Sequence, residues 1–123
     1  MIRVAIVEDD PSHGRAIARL LRASGMETLT FESAEAYLDR GDGPAADCLL
    51  VDVELTGMSG FELQRRLAAT ACAPPVVFLS AIDEPAEAVR EKAGGCAFVR
   101  KTEPAESLLA AIRHALAGPV SSP

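Results

Sequence analysis

The sequence predicts an α/β fold, a parallel sheet wound with helices on both faces, and three observations carry that prediction. Short apolar runs alternate with segments of helical period along the chain. Two of those runs, Ile2–Val7 and Cys48–Val53, are almost continuously apolar, as strands buried on both faces must be. Acidic, hydroxyl and basic residues stand just past the ends of the runs, where an open sheet of this kind binds its ligands.

The elements follow in order. Ile2–Val7 is the first strand, and Pro11–Ser24 the first helix, with Ile17, Leu20 and Leu21 on one side, Asp10 as start signal and Gly25 as stop. Glu27–Phe31 reads as a strand, Ser33–Arg40 as a short helix ending at Gly41, and Asp42–Asp47 as a polar loop. Cys48–Val53 is the next strand. Ser59 and Glu62 stand at capping-box spacing ahead of a helix that runs to about Thr70. Pro74-Pro75 ends that segment, and Val76–Leu79 is a strand. Asp83, Glu84 and Pro85 open a helix over Asp83–Ala93 that stops at Gly94-Gly95; Ala97–Val99 is the fifth strand and Pro104–Leu116 the last helix. Five strand–helix units of this kind give a doubly wound (βα)5 sheet.

Composition narrows the function. With 123 residues the chain has the length of one domain, read here as 1–117, and 118–123 as a frayed tail or the start of a linker. Twelve basic against 18 acidic residues leave a net charge of -6, which argues against nucleic-acid binding by this segment, because phosphate backbones demand a basic face. The three cysteines, Cys48, Cys72 and Cys96, form no C-x-x-C pair and are expected to be apolar packing groups in a reducing compartment. The N-terminus meets acid by Glu8, unlike a signal peptide, and no apolar run approaches a membrane span. A cytoplasmic location is the expectation.

The polar residues at the strand ends form a chemical set. Glu8 and Asp9 follow the first strand, Asp52 closes the third, Ser80 follows the fourth, and Lys101 the fifth. In the order 2-1-3-4-5, strands one and three are neighbours and their acids meet. Three close carboxylates repel one another unless a cation lies among them. An all-oxygen donor set suits a hard ion such as Mg²⁺. A carboxylate beside Mg²⁺ can attack phosphorus to give an aspartyl-phosphate, a reaction that mostly needs positioning and charge neutralisation. Lys101 and the metal would neutralise phosphoryl oxygens, and Ser80 would donate a hydrogen bond to one. Asp52 carries the argument, because a carboxylate inside an apolar run is costly unless it is paired or functional.

These residues resemble those of the receiver domain of bacterial two-component response regulators. The resemblance covers residues 2–117 and rests on V-E-D-D-P (7–11), L-L-V-D-V-E-L-T-G-M-S-G-F-E-L (49–63), F-L-S-A (78–81) and A-G-G-C-A-F-V-R-K (93–101). F-E-S-A-E-A-Y-L (31–38), G-M-S-G-F-E-L-Q-R-R-L (57–67) and L-L-A-A-I (108–112) are similar to the FixJ-like subgroup, whose receivers usually precede a helix-turn-helix DNA-binding domain. The resemblance implies a flavodoxin-like sheet and a signalling phosphoacceptor, not an enzyme with an external substrate. It makes Asp52 the acceptor of a phosphoryl group from a sensor histidine kinase. It makes Asp9 a direct ligand of Mg²⁺ (or Mn²⁺), Glu8 a ligand through water, and the backbone carbonyl of Glu54 a third protein ligand. Ser80 becomes the switch hydroxyl, Lys101 the phosphate-pairing lysine and Phe98 the aromatic that turns inward. The face of the 83–93 helix, the 97–99 strand and the last helix is where receivers pair or meet partners, and a transcriptional output domain outside this chain is implied.

Two positions depart from the family pattern. Thr102 stands where Pro commonly follows the lysine, so a trans peptide is expected there. Thr56, four residues after Asp52, also replaces a common Pro and predicts a looser loop over the site. His13 and His114 read as solvated helix surface, and Asp10 and Asp83 as helix caps. Two other readings stand beside the receiver. A phosphorylation-independent pseudo-receiver would keep the fold and only bind partners. D-V-E-L-T (52–56) resembles the D-x-D-x-T motif of haloacid-dehalogenase-like phosphatases, although there it normally follows the first strand.

Overall fold

A computed structural model describes residues 1–40, 45–70, 73–80 and 97–117. Five parallel strands, β1 (Arg3–Val7), β2 (Glu27–Phe31), β3 (Cys48–Asp52), β4 (Val76–Ser80) and β5 (Ala97–Arg100), form one sheet in the order β2-β1-β3-β4-β5. The described helices are α1 (Pro11–Ala23), α2 (Ala34–Leu38), α3 (Gly60–Ala68) and α4 (Ala105–Leu116). The expected helix over 83–93, residues 42–44 of the 42–47 loop, Cys72, Cys96 and the 118–123 tail lie outside the described residues.

The period of two along each strand divides the core. Val4 and Ile6, Cys48 and Leu50, Val77 and Leu79, and Val99 face Ile17, Ala18 and Leu21 of α1 and Leu108 and Ile112 of α4. Ala5 and Val7, Leu49 and Val51, and Val76 and Phe78 face Ala34 and Tyr37 of α2 and Leu63 and Leu67 of α3. The central strands β1, β3 and β4 thus bury both faces, which is why they read as continuous apolar runs. Cys48 is one of these packing groups: it is buried, and loss of water pushes its thiol up to about 12.

Helix boundaries fall within a residue or two of the expectation, and the caps explain where they start. The Asp10 carboxylate accepts from the Ser12 N–H at 3.0 Å, and Pro11, which has no N–H to satisfy, stands first in α1. The Ser33 and Ser59 hydroxyls accept from the Ala36 and Glu62 N–H groups at 2.9 and 3.1 Å, so Ser59 caps α3 as its spacing predicts, while Ser33 lies just outside the helix it was read into. Pro104 likewise caps α4 from outside, without a side-chain bond.

Gly60 fixes how closely α3 approaches the sheet. A Cβ there would come within 2.6 Å of the Asp52 carbonyl oxygen and 2.9 Å of Val51 Cγ1. The end of β3 and the start of α3 therefore touch through backbone. Gly60→Ala is expected to destabilise the fold by about 1–3 kcal/mol, although alanine is the better intrinsic helix former. The urea midpoint measures this, and a midpoint at or above wild type would show that the contact yields freely.

Candidate functional site

Parallel pairing brings the carboxyl ends of β1 and β3 side by side, since Val7 pairs with Val51. Glu8 extends the β1–β2 ladder, its N–H donating to the Phe31 carbonyl at 3.0 Å. Its side chain continues the Val4, Ile6 side of the strand, and Asp52 continues the Cys48, Leu50 side of its own. Both carboxylates consequently face the same way, toward α1 and β5, and both are buried, at 3% and 2% exposure.

Lys101 joins them. Its main-chain N–H extends the β4–β5 ladder by donating to the Ser80 carbonyl at 2.8 Å. Its Nζ then donates to Glu8 Oε1 and to Asp52 Oδ2, each at 2.9 Å. Asp52 Oδ1 accepts from the Glu54 N–H at 2.9 Å, so both oxygens of the carboxylate are engaged. The peptide after Lys101 is trans, as expected for Thr102.

Asp9 is half-buried beside the pair, and oxygens of Glu8, Asp9 and Asp52 all lie within 4.8 Å of one another. That donor set, all carboxylate with two of the three members buried, fits a hard divalent cation. Glu54 is exposed on the loop after β3, its backbone tied to Asp52 by the N–H bond already described. Ser80 is buried at the end of β4, and Phe98 is half-buried on β5, paired in register with Phe78 and packed on the α2–α3 side of the core. The structure therefore joins Glu8, Asp52 and Lys101 by direct contact and brings an Asp9 oxygen within 4.8 Å of both carboxylates, while Ser80 adjoins Lys101 through the main chain.

Two residues join the site that the sequence did not assign to it. His13, expected on solvated surface, directs Nδ1 onto Glu8 Oε1, the oxygen that Lys101 also holds. Asp10 caps α1 and Pro11 opens it, which puts His13 in the first turn, in contact with Glu8 just past the end of β1. Thr56, expected to loosen its loop, instead fastens it: its hydroxyl donates to Asp9 Oδ2 at 2.7 Å and its N–H to the same oxygen at 3.3 Å. A hydroxyl four residues past an end-of-strand Asp was the available signal for Thr56; the signal for His13 was its place in the first turn of a helix beginning at the site.

The charges perturb one another in a definite sense. Burial pushes the Glu8 carboxyl above its ordinary value, helped by the hydrogen bond it shares with Asp52 and opposed by His13 and Lys101. Burial alone would lower the Lys101 ammonium, but its bonds to Asp52 and Glu8 outweigh that and raise it. The Thr56 hydroxyl holds Asp9 below the usual carboxylate range. A carboxyl raised in the folded state binds more protons folded than unfolded, so its stabilising contribution fades as pH rises. Relative to wild type, Glu8→Gln should therefore gain stability as pH is raised from the ordinary Glu value of 4.5 toward neutrality. Urea unfolding across that range tests it; a pH-independent difference would remove the perturbation.

Comparison with known proteins agrees with this geometry. The family model described as response regulator receiver domain matches residues 4–113. The chain is 38% identical over 114 residues to the response regulator protein TmoT of Ectopseudomonas mendocina, covering 92% of this chain and 52% of that protein. It is 31% identical to the transcriptional regulatory protein FixJ of Azorhizobium caulinodans, over 92% of this chain and 54% of that one. The chain thus spans about half the length of these curated relatives. A crystal structure of a response regulator receiver protein from Burkholderia phymatum superposes with a TM-score of 0.82 at 35% identity, covering 95% of this chain and 96% of that one.

Proposed function

The chain belongs to the response regulator receiver domain family of two-component signalling, and from that premise we propose that Asp52 is its phosphoacceptor. The observation that carries the assignment is the Lys101 ammonium shared between Asp52 and Glu8 at 2.9 Å from each. A lysine from β5 meeting buried acids from β1 and β3 is costly packing for stability alone. As a phosphoryl site, each member has a task.

Glu8, Asp9, Asp52 and the Glu54 carbonyl would hold Mg²⁺ or Mn²⁺, Asp9 directly and Glu8 through water. Such an ion, when bound, supplies positive charge to the phosphoryl oxygens. Asp52 contributes the nucleophile: a carboxylate oxygen forms a bond to phosphorus as the phosphorus–nitrogen bond of the kinase phosphohistidine breaks, and the imidazole departs. Lys101 follows the charge. It already bridges two anions, so exchanging one carboxylate for a phosphoryl oxygen leaves it paired throughout. The buried Ser80 hydroxyl turns to donate to a second phosphoryl oxygen, and Phe98 moves inward with it.

The partners follow from the same reading. A sensor histidine kinase supplies the phosphoryl group, and the surface of β5 and α4 is the described part of the proposed face for phosphorylation-dependent pairing. The relatives matched over about half their length support a transcriptional output domain as the recipient of the signal. Residues 1–117 are taken as the receiver and 118–123 as a tail or the start of a linker. Among the described residues no helix is long and apolar enough to cross a membrane, and a cytoplasmic site of action is part of the proposal.

Intact mass after incubation with acetyl phosphate tests the acceptor. Wild type should gain one phosphoryl group only with Mg²⁺ present, and Asp52→Asn should gain none. Stoichiometric labelling of Asp52→Asn would assign the acceptor elsewhere, and a wild type that binds the ion but takes no label would point to a phosphorylation-independent domain or to a site that only its kinase can phosphorylate.

A further inference from the structure

Thr56 makes a pair of bonds that the proposed chemistry has not used. Both of its donors, hydroxyl and backbone N–H, fall on one oxygen of Asp9, Oδ2, at 2.7 and 3.3 Å. Asp9 lies past the end of β1 and Thr56 on the loop after β3, 47 residues apart in sequence. The bond therefore clamps two segments that the sheet itself leaves independent, because neither residue belongs to a strand.

The clamp bears on both segments at once. Asp9 has one carboxylate oxygen fixed by two donors, which sets the plane of the group and leaves Oδ1 clear of Thr56. On the other side, the loop is anchored at three points in sequence: the Glu54 N–H on Asp52 Oδ1 at 2.9 Å, Thr56 on Asp9, and the Met58 N–H on Glu35 Oε2 at 3.1 Å. Gly57, between the last two, takes φ +80°, a conformation that lets the chain turn from one anchor to the next. The Glu54 carbonyl lies inside this anchored stretch. The residue that commonly stands at position 56, proline, has neither a hydroxyl nor an N–H and could make neither bond.

We infer that Thr56 is a positioning residue for the divalent cation, holding the Asp9 carboxylate and the Glu54 main chain in ligating arrangement before the ion arrives. This rests on the cation-binding reading of the acidic cluster. The physical reason is preorganisation: a carboxylate already oriented by hydrogen bonds gives up little freedom on taking a metal, and loss of such an outer partner typically lowers affinity by about 10–100-fold. Thr56 is exposed, so the lower end applies. A hydroxyl that merely competed with the ion for Asp9 would act in the opposite sense.

Titration of the whole chain with Mn²⁺, read as free Mn²⁺ by electron paramagnetic resonance, separates the cases. Thr56→Val, which keeps the shape and removes the hydroxyl, should bind Mn²⁺ about tenfold more weakly than wild type. Thr56→Ser, which keeps the hydroxyl, should bind within about twofold of wild type, a rescue that simple loosening of the loop would not produce. Thr56→Ala provides the same loss should the valine variant fold poorly, as judged by its circular dichroism. Equal or tighter binding by Thr56→Val and Thr56→Ala, or weakening by Thr56→Ser to their level, would overturn the inference. Absence of Mn²⁺ binding in wild type would instead overturn the cation site itself.

Discussion

The constraint on which the structure turns is the burial of two carboxylates at adjacent strand ends. Glu8 and Asp52 arrive there by alternation along β1 and β3, and neither can be turned to water without disturbing the core beneath it. Their repulsion in a poorly solvated site has to be offset by positive charge. Lys101 provides it from across the sheet, and His13 adds a second contact to Glu8. The site is thus stable but saturated: each Asp52 oxygen has a donor, and the ammonium is divided between two acids. Any anion entering it must take over part of Lys101, which couples arrival at Asp52 to the position of β5.

That coupling has a short covalent and hydrogen-bonded route. Lys101 follows β5 directly, and its N–H is bonded to the carbonyl of Ser80. Phe98 lies on the same strand, in register with Phe78 on the opposite side of the sheet from α4. A hydroxyl, an ammonium and an aromatic ring on two paired strands therefore share one piece of main chain. In the proposed switch this lets a change in where Lys101 and Ser80 point reach the β5 surface without unfolding anything between.

Much of this was legible because burial on two faces leaves a strong imprint. The runs Ile2–Val7, Cys48–Val53 and Val76–Leu79 read as strands of the interior, and Asp52 stood out as a carboxylate inside one of them. Caps were legible for a different reason: Asp10 and Ser59 act within three residues of themselves, so spacing alone contains the interaction. The order of the strands is not written in any one of them. It entered as a supposition under which the acids of strands one and three would meet, in agreement with the family resemblance, and the register of Val7 with Val51 supplies the meeting.

What the sequence hid were contacts between a loop or helix terminus and a distant segment. His13 looks like surface by helical period, because period describes the face along a helix and not what lies beyond its end. Thr56 looked like a lost proline and hence a looser loop. Stiffness, however, can come from a restricted dihedral or from a bond to a distant partner, and only the first is visible in a residue's identity. The two bonds from Thr56 to Asp9 restore by hydrogen bonding the restraint that the missing pyrrolidine ring would have supplied covalently. The difference has a consequence. A ring restrains its loop whatever stands opposite, whereas these bonds restrain it only while Asp9 is there to accept them. The loop and Asp9 are therefore held together in this chain, and a change at either must be felt by the other.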